Sequence, residues 1–121
     1  MFVSVFQVES VIFERISICY RLPVISILGG QLKTLELDNC EAFQLDELMP
    51  CVALEELVMR FDYASIKSSG LTVDKLLHFI PQLTSLKKLT IPGNILLPEE
   101  KRQLVASLEP FQIRVKFYFN S

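Results

Sequence analysis

A nine-residue pattern of apolar positions recurs along the chain and constrains its fold more than any other feature. Residues 32–40 read LKTLELDNC and residues 86–94 read LKKLTIPGN, with apolar residues at the first, fourth and sixth positions and Cys or Asn at the ninth. Residues 54–62, LEELVMRFD, keep the three apolar positions and place Asp at the ninth. Weaker copies are predicted in residues 3–8 and 110–115. Because one such unit cannot bury its apolar side chains alone, the pattern predicts stacked repeats that share a core.

The spacing of the copies predicts a single domain of about five repeats over residues 1–121. The copies begin at residues 3, 32, 54, 86 and 110, and the third interval is the longest. Its excess falls in the polar, Ser-rich stretch 61–70, which predicts an inserted loop. The expected strands lie near 3–8, 34–38, 56–60, 88–92 and 112–118.

The segments between the strands carry helix signals. Thr72 can cap a helix that ends near Pro81, and Pro98 suits the first position of another helix. The buried stripe of that second helix is expected to contain Leu104, Val105 and Leu108. Ser10 is expected to cap an apolar helix that continues to Cys19. Alternating strands and helices predict an α/β fold with a parallel sheet.

With these motifs the chain resembles leucine-rich-repeat proteins, and it is most similar to the repeat region of F-box/leucine-rich-repeat proteins. Residues 32–94 carry the resemblance well, and the phrase ILGGQLKTLEL at residues 27–37 strengthens it. The resemblance implies a leucine-rich-repeat solenoid, with a curved parallel sheet on the concave side and short helices on the convex side. In that family the repeats recruit a substrate for ubiquitination while a separate F-box segment binds the ligase adaptor. No F-box is evident in these residues.

Strand alternation places one row of side chains inward and the next outward. Leu35 and Leu37 are expected inside, with Thr34, Glu36 and Asp38 outside. The predicted partner-binding residues on the concave face are Thr34, Glu36, Asp38, Glu56, Val58, Arg60, Lys88, Thr90, Arg114 and Lys116. Gln7, Glu9, Pro92 and Gln112 are expected to extend the same row. Either this row is a solvated face whose charges pair, as Glu56 could with Lys88, or it is a bipolar surface that orients a partner.

The charges are divided between the two halves of the chain, with net −5 over residues 1–60 and +3 over residues 61–121. The overall net charge of −2 lacks the basic excess that nucleic acids or anionic membranes attract, so neither is an expected partner. Charged residues interrupt the apolar first 30 residues before they reach the roughly 18 apolar residues of a membrane span. Three cysteines without C-x-x-C spacing indicate reduced thiols, and therefore a cytoplasmic or nuclear protein.

Catalytic, metal and cofactor roles are not expected. His78, the sole histidine, lies in an apolar helical segment, and the cysteines are interpreted as packing residues. The glycines lack the spacing of a phosphate-binding loop. The sequence therefore predicts a protein-interaction module that is not an enzyme, and the resemblance implies the substrate-recruiting region of an F-box-like ubiquitin-ligase receptor. A fragment of an immune or signalling receptor and a scaffold or assembly factor are the alternatives, and self-association through the amino-terminal strand edge is a further expectation.

Overall fold

The computed structural model describes residues 8–119, which form an α/β fold around a five-stranded parallel sheet. The strands follow one another in chain order, and each pairs with the next. They are β1 (Ser10–Glu14), β2 (Thr34–Asp38), β3 (Glu56–Arg60), β4 (Lys88–Pro92) and β5 (Arg114–Tyr118). The helices are α1 (Ile18–Leu28), α2 (Tyr63–Ser69), α3 (Val73–Phe79) and α4 (Pro98–Leu108), with 3-10 turns at Gly29–Gln31, Leu45–Leu48, Ile80–Gln82 and Glu109–Phe111.

The three clear motifs form the three central strands. Leu35 on β2 is the register partner of Leu57 on β3, which in turn is the partner of Leu89 on β4. All three side chains are fully buried in one hydrophobic core, together with the following inward positions Leu37, Met59 and Ile91. Each buried leucine contributes about 1.5 to 3 kcal/mol, so this shared core holds the central strands in register.

The backbone at both ends of the strands repeats the same contacts. Before β2, the amides of Lys33 and Thr34 both donate to the carbonyl of Glu9, and the amides of Glu55 and Glu56 donate to Lys33 in the same way. At the other end, the amide of the residue after β2, Asn39, donates to the carbonyl of Arg60, the last residue of the neighbouring strand. Arg15 after β1 and Gly93 after β4 do the same with Asp38 and Tyr118. The repeated sequence pattern is therefore accompanied by a repeated pattern of backbone hydrogen bonds.

The prediction that Ser10 caps a helix was wrong. The expected strand near 3–8 lies outside the described residues except for Val8, which is not in a strand, and residues 10–14, predicted as helix, form β1. Val8, Val11 and Phe13 occupy the three apolar positions of the repeat in the register that the sheet adopts, so Ser10 begins a strand instead of capping a helix. The helix in this segment starts only at Ile18, after Ser17.

The predicted loop at 61–70 is largely helical. Asp62 caps α2 because its side chain accepts a hydrogen bond from the Ser65 amide at 2.8 Å, and Gly70 ends the helix in the left-handed conformation. The Ser68 and Ser69 hydroxyls accept hydrogen bonds from the amides of Ala42 and Phe43 in the preceding turn, at 2.8 and 3.1 Å. The serines therefore connect neighbouring units, where composition alone indicated an exposed loop.

The last strand begins two residues later than predicted. Gln112 has a φ of 60°, and its amide donates to the Glu109 carbonyl, so it belongs to the turn before β5. The later start does not change which residues face outward, so Arg114 and Lys116 lie on the outward side as predicted. In α4, which starts at Pro98 as predicted, Leu104 and Leu108 are buried but Val105 is exposed.

Candidate functional site

One face of the sheet carries the core and the opposite face carries aligned rows of mainly polar side chains. We call the second set the strand face; its residues are Ser10, Ile12 and Glu14 on β1, Thr34, Glu36 and Asp38 on β2, Glu56, Val58 and Arg60 on β3, Lys88, Thr90 and Pro92 on β4, and Arg114, Lys116 and Tyr118 on β5. The ten residues predicted for partner binding all belong to it. Gln7 lies outside the described residues, and Glu9 precedes β1 instead of facing outward from it.

Charge changes sign across the strand face. Acidic residues occupy β1, β2 and the start of β3, whereas basic residues occupy the end of β3, β4 and β5. Exposure differs as well: Glu36, Asp38 and Glu56 are half-buried, whereas Lys88 and Arg114 are exposed. The basic half therefore presents its charge more fully to solvent than the acidic half does.

Arg60 joins the two halves at the centre of the sheet. Its Nε lies 3.9 Å from Glu36 Oε1, and its guanidinium lies 5.9 Å from the centre of the Tyr118 ring. The Tyr118 hydroxyl reaches the Phe61 carbonyl at 3.5 Å, so this side chain crosses over β4 to the end of β3. Burial raises the pKa of Tyr118 to about 12, so its hydroxyl remains a neutral donor near pH 7.

Asp38 is the most perturbed acid on the strand face. Its Oδ1 atom is inaccessible to solvent and has no hydrogen-bond partner among the described residues. Burial and the neighbouring Glu36 carboxylate raise the pKa of Asp38 to about 6, and the Arg60 charge offsets only part of this effect. A carboxyl with this pKa titrates on either side of about pH 6.

Val58, with Thr90 beside it on β4, forms an apolar floor between charged residues of the strand face. Val58 is only 7% exposed, yet it does not belong to the main core and lies on the strand face. A depression of about 410 Å³ opens over β3, β4 and β5, with Val58 and Thr90 in the middle and the Tyr118 ring at one end. Its charged margin consists of Glu56, Arg60, Lys88, Arg114 and Lys116.

Glu56 and Lys88, which were predicted to pair, are neighbours across two strands but do not form an ion pair. The two residues are Cα partners on β3 and β4, yet among residues 8–119 no ion pair within 4.0 Å joins them. Lys87, one residue earlier, does pair, with Glu55 at 3.4 Å.

The positions just before the strands form a second line of charges that the sequence reading missed. Glu9, Lys33, Glu55 and Lys87 precede successive strands and alternate in sign. Glu9 pairs with Lys33 at 3.8 Å and Glu55 with Lys87 at 3.4 Å. Because these side chains are substantially exposed, each pair contributes little stability, and we interpret the line as a solvated border of the strand face.

A buried ion pair on the helical side was also missed. Arg21 on α1 is fully buried; its Nε donates to Glu47 Oε1 at 2.9 Å and its Nη2 to Glu47 Oε2 at 3.1 Å, while Nη1 donates to the Ile16 carbonyl. Glu47 also accepts a hydrogen bond from the Gln44 amide at 2.8 Å. The network is satisfied by protein groups and connects α1 to the next unit, which is a structural role. Arg21 lies within a strongly apolar segment of the sequence. Because a charged residue is rarely fully buried unless it is paired, this position could have indicated a buried acidic partner.

The cysteines do not share one environment. Cys40 and Cys51 are buried, whereas Cys19 is exposed, so the interpretation of all three as packing residues was wrong for Cys19. The Cys40 thiol donates a weak hydrogen bond to the Phe13 carbonyl at 3.4 Å, a role that suits the ninth position of the repeat. Asn94 occupies the equivalent position of a later repeat but is exposed. His78 lies exposed near the end of α3.

Among residues 8–119, no three His, Cys, Asp or Glu side chains are grouped so that they could hold a metal ion. No helix in the same part of the chain has the length and apolar character needed to cross a membrane. No protein-family model matches the chain, and a search of curated proteins finds no significant match.

Proposed function

We propose that the chain is a leucine-rich-repeat solenoid that binds a protein partner through its strand face, without catalysis and without a cofactor. One observation carries this proposal: five consecutive parallel strands place aligned rows of outward side chains on one face, and the helices pack against the other face of the sheet. A regular, chemically varied surface on a rigid scaffold suits recognition of another macromolecule. The sheet would line the concave side and the helices the convex side.

The more specific form of the proposal is the substrate-recruiting region of an F-box-like ubiquitin-ligase receptor, acting in the cytoplasm or nucleus. Its support is the similarity of residues 32–40, 54–62 and 86–94 to the repeats of that family. The bipolar charge of the strand face supports a recruiting role, because complementary charge determines the approach and orientation of a partner.

A scaffold or assembly factor is the second candidate, and α1 favours it. Tyr20 and Ile27 are 72% and 78% exposed and lie seven residues apart, so they share one side of the helix. Exposed apolar groups of this kind mark a surface that a complex would cover. Self-association through the amino-terminal edge would use the same end of the molecule.

Site-specific photo-cross-linking tests the proposal. A photoreactive phenylalanine analogue replaces Thr90 on the strand face, Gln103 on the exposed side of α4, or Tyr20 on α1, and each variant is irradiated in cell extract. We expect one defined adduct at Thr90 that is absent at Gln103. An adduct confined to Tyr20 would favour the scaffold candidate, and equal labelling at Thr90 and Gln103 would contradict recognition by the strand face.

A further inference from the structure

The basic half of the strand face holds like charges close together. Lys88 and Arg114 are direct register partners on β4 and β5, and Lys116 follows Arg114 on the same side of β5. Like charges in adjacent positions repel one another. Among residues 8–119, none of these three side chains forms an ion pair within 4.0 Å. A ligand carboxylate placed between them would relieve this repulsion.

The apolar floor lies directly beside these cations. Val58 and Thr90 are register partners, and Thr90 is in turn the partner of Lys116, so this row runs from the floor to a cation. A buried apolar contact surrounded by polar groups is the arrangement that concentrates binding energy in a few residues. The ligand should therefore carry one apolar side chain next to its acidic groups.

The acidic half limits how long the anionic part of the ligand can be. Neighbouring parallel strands lie about 4.8 Å apart, so β3 to β5 spans about 10 Å, or about three residues of extended peptide. On β3 an anionic ligand would already meet Glu56, the register partner of Lys88, and beyond it Glu36 and Asp38 on β2. A nucleic acid or an anionic membrane surface carries negative charge over a much longer distance, and these carboxylates would repel it.

We propose that Lys88, Arg114 and Lys116 bind a short acidic peptide segment of about three residues whose adjacent apolar side chain occupies the depression over Val58. This inference rests on the proposed function and names the partner chemistry of the same surface. Charge complementarity determines the occupant, and Arg60, which already lies near Glu36, borders the site on its acidic side.

Fluorescence polarisation with a defined probe tests the inference. The probe is a fluorescein-labelled peptide with three acidic residues followed by one leucine in a glycine and serine frame. Comparison probes replace the leucine by serine, the acids by lysines, or the acids by phosphoserines, and a short single-stranded oligonucleotide serves as a polyanion. The protein variants are Lys88→Glu/Arg114→Glu and, as a control with the same change in net charge, Lys67→Glu/Lys75→Glu on the helical side, where both lysines are exposed.

We expect the acidic probe to bind the wild-type protein in a salt-sensitive manner and the strand-face double variant to weaken binding at least about tenfold, whereas the helical control binds as the wild type does. Replacing leucine by serine in the probe should also weaken binding. If circular dichroism shows that the charge reversal unfolds the protein, the variant Lys88→Gln/Arg114→Gln replaces it in the same test. Equal losses in both double variants, or preference for the phosphoserine probe or the oligonucleotide, would overturn the inference.

The two proposals can fail separately. If no acidic probe binds while Thr90 still yields a defined cross-link to a protein, the acidic-peptide inference is wrong and the proposed function stands. If the probe does not bind and Thr90 yields no more labelling than Gln103, both are wrong.

Discussion

Replacing Arg21 by Met should destabilise the protein more than replacement of any exposed arginine. The guanidinium is fully buried, and three of its nitrogens donate to Glu47 and to the Ile16 carbonyl. Met preserves much of the apolar volume but leaves the Glu47 carboxylate buried, with the Gln44 amide as its remaining donor among these contacts.

The magnitude follows from this uncompensated charge. Removing one partner of a buried ion pair costs about 3 to 5 kcal/mol, a large part of the about 5 to 15 kcal/mol that stabilises a typical domain. Replacing both partners by apolar residues of similar volume removes the unpaired buried charge, and such replacements often leave the free energy of unfolding unchanged or increase it. We therefore expect Arg21→Met/Glu47→Leu to be more stable than Arg21→Met alone.

Urea unfolding followed by circular dichroism at 222 nm measures these free energies from the midpoint and the slope of each transition. Arg102→Met is the matched control, because Arg102 is exposed on α4 and should change stability by no more than about 0.5 kcal/mol. The reasoning would be refuted if Arg21→Met cost no more than this control. It would also be refuted if the losses measured for Arg21→Met and for Glu47→Leu alone simply added in the double variant.

Three further predictions follow from the core and the strand face. Leu57→Ala should cost about 3 to 5 kcal/mol in urea unfolding, because the side chain is fully buried between two neighbouring strands, and the exposed Leu97→Ala should cost much less; similar losses would contradict the repeat core. His78→Ala should lie within about 0.5 kcal/mol of wild type, and a larger loss would contradict its exposed position. Because the folded-state pKa of Asp38 is raised from 3.8 to about 6, its contribution to stability declines as pH rises through this window, so Asp38→Asn should gain stability relative to wild type between pH 4 and pH 7; a constant difference would contradict the shift.

The amino-terminal segment offers two registers for the same apolar spacing. Residues 3–8 and residues 8–13 both fit the spacing of apolar positions, and they share Val8. The second register places Val11 and Phe13 beside Leu35 and Leu37, where the core continues. Local spacing cannot distinguish the two, because the choice depends on which side chains the neighbouring strand can cover.

Sequence alone determined the central strands and the direction of their side chains. The apolar spacing in residues 32–40, 54–62 and 86–94 predicted the bounds of β2, β3 and β4, because strand alternation is a local property of the chain. The tertiary structure decided that Tyr118 reaches the end of β3 and that Arg21 meets Glu47, which lies 26 residues away in the sequence. These contacts depend on how successive units stack, and no local pattern encodes the distance between side chains brought together from different units.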